Sequence, residues 1–359
     1  GASGSNSGIL HTGFDSPPKA LETQLILRSA RLREELLEEL GIAAWRCGAR
    51  LDPHDADERA AIAELAANAR RNGVEVVLEE DGGLRVPGES VIDPVAFVHA
   101  LARAAESEGT RVRLGSRVEG LAGGGDGRVV ISLAGGEQLR VAAAVNCAGL
   151  HGDELARMAG ESIPEIYPRK GEFLVFDPPH DGPLEQILLP VPSRLGKGVL
   201  VFPTIDGAMI AGPTARERED KRDFSVEPDA AELILPRAVR MYPPLARAAR
   251  VGSYAGLRPA GRAANYVIAR SKTLPGLVHV AAIRSTGLSA SLAIGEHVAG
   301  MLAADGVVAP GEIRPLHPAP ASAVPAREAH WWERARDYHA RDQGSDHGAG
   351  RPAKGEGER

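Results

Sequence analysis

The residues best suited to chemistry sit at a few punctuated turns. In AAIRSTGLSASLAIGEHV, residues 281–298, an apolar strand pattern ends and a helix begins near Leu288. Backbone N–H groups at a helix start, sharpened by the macrodipole, stabilise negative charge, and Gly287 would let a flat ligand approach the main chain. The same residues also fit a plain capped helix, with Ser285 or Thr286 as the N-cap and no ligand. In SYAGLRPAGR, residues 253–262, Arg258 follows a strand and precedes Pro259, which stiffens the backbone. A guanidinium held this way binds carboxylate or phosphate bidentately, although most arginines are surface groups. In PRKGEFLVFD, Lys170 stands before Gly171 at a strand entrance, where a lone lysine is ordinarily solvated. The opening GASGSNSGILH combines small residues, an apolar turn and His11. It reads either as backbone that a ligand approaches closely or as a flexible Gly/Ser-rich end.

Composition limits what these groups can serve. With 359 residues the chain is long enough for two or three cores. Its hydrophobic fraction of 43% and charged fraction of 25% are those of a globular protein. A net charge of -6 and 4% aromatic residues lack the footprint of a nucleic-acid binder, so no nucleic acid is expected. No apolar run reaches the roughly 18 residues of a spanning helix, which predicts no transmembrane segment. The two cysteines, Cys47 and Cys147, exclude a disulfide framework and paired-cysteine metal sites. The histidines form no HxH or HxxxH pair, so no metal is expected. Cys147, in the run AAAVNCAG, reads as a small buried residue.

The elements that must position these groups follow from periodicity. Leu21, Leu25, Leu32, Leu36 and Leu40 predict an amphipathic helix over residues 19–40. A second helix fits residues 55–72, ending before Gly73, and VEVVL at 74–78 reads as a strand. Asp93-Pro94 is an N-cap and N1 pair opening a third helix. RVRLG, RVEGL, RVVISLA and QLRVAAAVNCAG then read as short strands, the last apolar on both faces as a buried parallel strand would be. EFLVF, ILLP, GVLVFP and AMIAGP predict an antiparallel sheet interrupted by a helix over 229–241. SYAGLRP, YVIARS and LVHVAA continue the strands, and a last helix follows IRSTG. Beyond about Pro310 the chain predicts a mostly disordered tail, in which WWERARDYHA at 331–340 favours a short helix packed on the body over a partner-docking element.

Taken in order, NSGILHTGFDSPP, DPVAFVHALARAAESEG, VNCAGLHGDELARMAG, RKGEFLVFD, LPVPSRLGKGVLVFPTIDGAMIAGPTA, YAGLRPAGR and AAIRSTGLSASLAIGEHV resemble the FAD-dependent oxidoreductases of the D-amino-acid oxidase superfamily. The nearest resemblance is to the anaerobic-type glycerol-3-phosphate dehydrogenases, with the L-2-hydroxyglutarate dehydrogenases close by. It runs from residue 1 to about Leu302. The fold it implies is mixed α/β, a FAD-binding Rossmann-like domain with an inserted antiparallel-sheet substrate domain. Residues 1–160 and 251–308 fall to the cofactor domain, with an excursion into the substrate domain near 45–92. Residues 161–250 form the substrate or cap domain, and 309–359 the tail.

The resemblance also implies roles. Ser5, Asn6, Ser7 and Gly8 match the stretch that runs along the flavin and its pyrophosphate, which makes the opening cofactor lining instead of a tag. Val118 matches the residue whose backbone pairs with adenine, and Ala148 and Gly149 match the NxAG turn beside the diphosphate. Arg284, Ser285, Thr286, Gly287, Leu288 and Ser289 match the turn facing the flavin edge where negative charge collects on reduction. Arg258 would hold the phosphate or carboxylate of a small hydroxy substrate, with Arg284 sharing that anion. His11 would be the base and Lys170 a weaker alternative. Glycerol 3-phosphate leads as substrate, 2-hydroxyglutarate and related 2-hydroxy acids follow, and amine oxidation is third. The expected electron acceptor is a quinone or a carrier protein. The expected location is cytoplasmic, with peripheral attachment to the inner face of a membrane left open. The family's opening strand, GxGxxG turn, helix and second strand, roughly 40 residues, would precede Gly1. Without them the chain is expected to take up FAD weakly; GGGDG at 123–127 is no substitute, because no helix pattern follows it. The Cys-rich carboxy-terminal domain of many glycerol-3-phosphate relatives has no counterpart either. A rival of a different class is a non-catalytic homologue that keeps only a binding surface.

Overall fold

The computed structural model describes residues 1–179, 182–192, 198–308 and 330–334. In chain order the elements begin with β1 (Ile9–Leu10), α1 (Leu21–Glu39), β2 (Ala44–Trp45), β3 (Ala49–Leu51), α2 (Ala56–Asn72), β4 (Val77–Leu78), β5 (Leu84–Val86), β6 (Ser90–Ile92) and α3 (Pro94–Ser107). Next come β7 (Val118–Gly123), β8 (Val129–Leu133), β9 (Gln138–Val141), β10 (Ala144–Asn146) and α4 (Gly152–Met158). The chain then forms β11 (Ile166–Phe176), β12 (Ile187–Leu188), β13 (Leu200–Pro203), β14 (Met209–Gly212), β15 (Arg216–Glu217) and α5 (Ala230–Met241). Last come β16 (Arg250–Gly261), β17 (Val267–Arg270), β18 (Leu277–Ala281) and α6 (Gly287–Ala304).

Helix starts follow local chemistry. Asp55 accepts from Glu58 N at the start of α2, and Asp93 accepts from Val95 N and Ala96 N with Pro94 at N1 of α3. Each cap satisfies N–H groups that a helix leaves unpaired.

The largest sheet has nine strands in the order β15-β11-β14-β13-β12-β3-β5-β4, with β16 also running antiparallel along β11. Residues 45–92 contribute β3, β4 and β5 to this sheet. Residues 250–261, assigned from sequence mainly to the cofactor side, lie in this sheet as β16. One face of the sheet is covered by α5, whose Ile234 and Ala238 pack on Leu174, Val201 and Met209. A second sheet places β10 parallel to β18 and β17 antiparallel to β18. Helix α6 lies on it through Val298, Val278 and Val280, and packs on α1 through Ala290, Ala293, Leu25 and Ile26. The strands β7, β8 and β9 form a separate antiparallel meander.

Several expectations change. RVRLG forms no strand: Val112 is 50% and Leu114 is 90% exposed, so this apolar alternation buries nothing. VEVVL contracts to Val77–Leu78. QLRVAAAVNCAG is two strands in two different sheets, and only β10 pairs in parallel. Cys147 is exposed, not buried, because β10 ends at Asn146 and the next residues line a large cavity. In the tail, Trp331 and Trp332 do pack on the body, as the sequence favours, at 1% and 2% exposed in the core of the large sheet. Trp331 meets the ring of Tyr254 edge-on at 5.5 Å. The remaining tail, 309–329 and 335–359, lies outside the described residues.

Candidate active site

The ribbon of β11 and β16 forms one wall of a cavity of about 2000 Å³. Strand alternation puts Arg169, Gly171 and Phe173 of β11 on the same face. Their partners across the ladder are Arg258, Gly256 and Tyr254. The wall therefore runs from a cationic pair, through a bare glycine pair, to Phe173, whose ring stacks at 4.8 Å on the buried Tyr254 behind it. Both glycines are required by close approach. A Cβ at Gly171 would lie 2.8 Å from Arg258 Nη2, and one at Gly256 would lie 2.7 Å from the carbonyl oxygen of Ser5.

Arg258 folds back over its neighbour strand. Its Nε donates to Arg169 O at 3.0 Å, and Nη2 donates to Lys170 O at 3.2 Å and Thr214 O at 2.9 Å. Burial, then the like charges of Arg169 and Arg284, bring its pKa down to about 10. Like charges directly opposite one another in a ladder are destabilising. Arg169 also has Glu217 of β15 across the ladder on its other side, but among the described residues no carboxylate is in ion-pair contact with Arg169, Arg258 or Arg284. The cluster leaves this part of the cavity wall positively charged.

His11 stands at another part of the cavity wall, held on every side but one. Its backbone N–H donates to Ser289 Oγ at 2.8 Å, and Arg33 Nη2 donates to its carbonyl at 3.2 Å. Its Nδ1 lies 2.9 Å from Glu89 Oε2. The other Glu89 oxygen accepts from Thr12 N at 2.7 Å and Thr12 Oγ1 at 2.9 Å. The Arg33 guanidinium is itself buried, and burial lowers its pKa to about 10 against the opposing attraction of Glu89.

The third wall is made of small residues and helix starts. The opening loop with Ser5, Asn6 and Ser7, the turn with Ala148 and Gly149, and residues 284–288 all line the cavity. Asn146 fixes the second of these, accepting from Ala148 N at 3.2 Å and donating to Gly152 O at 2.8 Å. At the start of α6 no side chain caps the free N–H groups. Thr286, the residue best placed to do so, instead gives its hydroxyl to Glu22 and pairs with Tyr266 at 3.0 Å. Donors left unpaired at this helix start are available to a ligand. Ser5 Oγ is buried without a partner, which is costly unless a ligand satisfies it. The volume is about twice the roughly 1000 Å³ upper end of ordinary small-molecule sites. These residues fit a dinucleotide such as FAD together with a small substrate.

The structure thus gathers Ser5, Asn6, Ser7, His11, Ala148, Gly149, Arg258, Arg284, Ser285, Thr286, Gly287 and Leu288 around one cavity. Other expectations need correction. Lys170 is fully buried on the opposite face of β11, its Nζ 2.8 Å from Asp223 Oδ2, so alternation removes it from the chemistry. Val118 begins β7 in the separate meander and does not line the cavity. Gly8 and Ser289 sit just behind the lining. A Cβ at Gly8 would lie 2.4 Å from Ile92 O, and Ser289 serves the His11 backbone. Arg169 and Glu89 were missed. Arg169 had a local signal in its shared parity with Gly171, and Glu89 had none.

Residues 1–301 match the family model described as FAD dependent oxidoreductase, DAO, and the chain belongs to that family. It is 30% identical over 313 residues to a glycerol 3-phosphate dehydrogenase of Caloramator mitchellensis, a match spanning 83% of this chain and 65% of that protein. It is 28% identical over 258 residues to the L-2-hydroxyglutarate dehydrogenase of Escherichia coli (strain K12), covering 66% of this chain and 61% of that one. Among solved structures it resembles the dithionite-reduced L-alpha-glycerophosphate oxidase of Mycoplasma pneumoniae with FAD bound. There the TM-score is 0.77, the identity 25% and the coverage 84% of each chain. FAD is the cofactor that this family membership and the fit of the cavity indicate.

Proposed function

We propose that this chain belongs to a dehydrogenase that oxidises a small anionic hydroxy compound, glycerol 3-phosphate first and L-2-hydroxyglutarate second. The observation that carries the reading is the Arg169–Arg258 pair, opposed across the ladder with Arg284 adding like charge. A dianion relieves that repulsion, whereas a zwitterionic amine brings a further ammonium, which leaves amine oxidation third. When bound, FAD supplies the two-electron acceptor for the C–H bond beside the substrate hydroxyl. Residues 5–7, 148–149 and 284–288 would hold it. Arg258 offers the two hydrogens of Nη1 to the substrate anion, because its other three are given to backbone carbonyls. His11 takes the hydroxyl proton on Nε2 as the C–O bond becomes C=O.

No described helix is long and apolar enough to cross a membrane. We assign the protein to the cytoplasm, with a quinone or carrier protein as electron acceptor and attachment to the inner membrane face as a variant of that reading. The test is anaerobic. Glycerol 3-phosphate, L-2-hydroxyglutarate and sarcosine are added in turn to the yellow, FAD-loaded protein, and flavin absorbance is followed. Rapid bleaching by one of the first two is expected. Bleaching by sarcosine alone, or by none of the three, overturns the proposal.

A further inference from the structure

We infer that Glu89 is a positioning residue that fixes the tautomer of His11, an inference that rests on the assignment of His11 as the base. Glu89 lies between β5 and β6, 78 positions along the chain from His11, and is fully buried. A buried carboxylate without partners is unstable, and here each oxygen is used. Oε1 accepts two hydrogen bonds from Thr12, and Oε2 faces His11 Nδ1 at 2.9 Å. A carboxylate only accepts hydrogen bonds, so Nδ1 carries the hydrogen and Nε2 keeps its lone pair. The histidine backbone is pinned at both ends, through Ser289 Oγ and Arg33 Nη2. The ring therefore presents one nitrogen to the cavity, in the state required to accept a proton. When the proton arrives, the buried carboxylate stabilises the resulting imidazolium. The Arg33 guanidinium, which donates to the His11 carbonyl, and the Glu89 carboxylate attract one another.

Glu89→Gln separates this role from simple support. The amide oxygen can still accept from Thr12, while the amide nitrogen donates toward Nδ1 and drives the hydrogen to Nε2. Nitrogen-15 NMR of the histidine rings, with the His11 signal assigned by its loss in His11→Gln, is expected to show Nδ1–H in the wild type and Nε2–H in Glu89→Gln. In the FAD-loaded protein kcat should fall about 100-fold or more, the range expected for losing a general base, with KM and melting temperature little changed. Glu89→Asp, which keeps the acceptor, should retain the wild-type tautomer and at least about a tenth of kcat. It also serves if the glutamine variant does not fold. The Glu89→Gln/His11→Gln double variant should be no slower than His11→Gln, because the two residues act as a unit. An unchanged tautomer in Glu89→Gln, or equal kcat loss in the Asp and Gln variants, overturns the inference even where His11→Gln is inactive. Full activity in His11→Gln instead overturns the base assignment itself.

Discussion

Replacing Arg258 tests the anion argument most directly, and the structure sets the size of the effect. Three of the five guanidinium hydrogens are given to the carbonyls of Arg169, Lys170 and Thr214. Only Nη1 remains for a substrate, so the two-nitrogen fork expected from the sequence is not available. A charge-assisted hydrogen bond through that one nitrogen contributes about 1.5–3 kcal/mol. The lowered pKa, about 10, reflects an unrelieved cost of holding the charge. That cost is about 3 kcal/mol, part of which a bound anion recovers. Arg258→Ala should therefore lose about 2–4 kcal/mol of transition-state stabilisation, or roughly 30- to 1000-fold in kcat/KM. It should also cost roughly 1 kcal/mol of folding stability for each carbonyl left without its donor. Arg258→Lys restores the charge but not the geometry, so only partial recovery is expected. The assay is anaerobic stopped-flow bleaching of the flavin, run beside thermal melting and competitive inhibition by inorganic phosphate. If kcat/KM and phosphate inhibition stay at wild-type values while melting drops, Arg258 is a clamp between strands and the anion argument fails.

Three further outcomes are expected. Gly256→Ala should displace the opening loop, because its Cβ would sit 2.7 Å from Ser5 O, and the purified protein should carry less flavin at unchanged expression; full loading would show that this contact yields without cost. Lys221→Met should lower the melting temperature at pH 7 by removing hydrogen bonds to Asp153 at 3.1 Å and Glu154 at 2.8 Å. Burial pushes the Asp153 carboxyl up, but Lys221 and Arg157 outweigh it and hold it below its ordinary value. A depressed carboxyl stabilises the fold above its unfolded pKa, near 3.9, and loses that contribution as pH falls through the lower folded value. The gap between wild type and variant should thus be constant from pH 7 to 5 and close only below about pH 4; a gap that widens on acidification would contradict the pairing. Finally, NAD should not support turnover with glycerol 3-phosphate while a dye or quinone should, and NAD reduction by the pure protein would count against the proposed acceptor.

What the sequence makes legible here is local, and what it hides depends on pairings between distant segments. Asp93-Pro94 announces the start of α3 because a cap and a preset φ act within one turn. Arg258 announces itself through the proline beside it. Arg169 and Lys170, however, are adjacent cations whose fates differ completely. Alternation along β11 sends one to the cavity and the other to Asp223, and only the register against β16 says which face is which. Glu89 goes further. Nothing local in VPGES marks it, and its burial follows from β6 pairing with β1, which carries the residue before β6 to Thr12 and His11. The Trp331–Trp332 step lies between these cases: the sequence favours packing of the two rings on the body, but not their place in the core beside Tyr254, which only the long-range contact fixes. Motifs at turns therefore point to the proposed reacting groups, while the long-range ladder decides which face each group takes and which carboxylate stands behind the proposed base. A change that shifts β11 against β16 by one residue would accordingly exchange Arg169 for Lys170 on the cavity face and, on the proposed reading, abolish the anion site without altering a single motif.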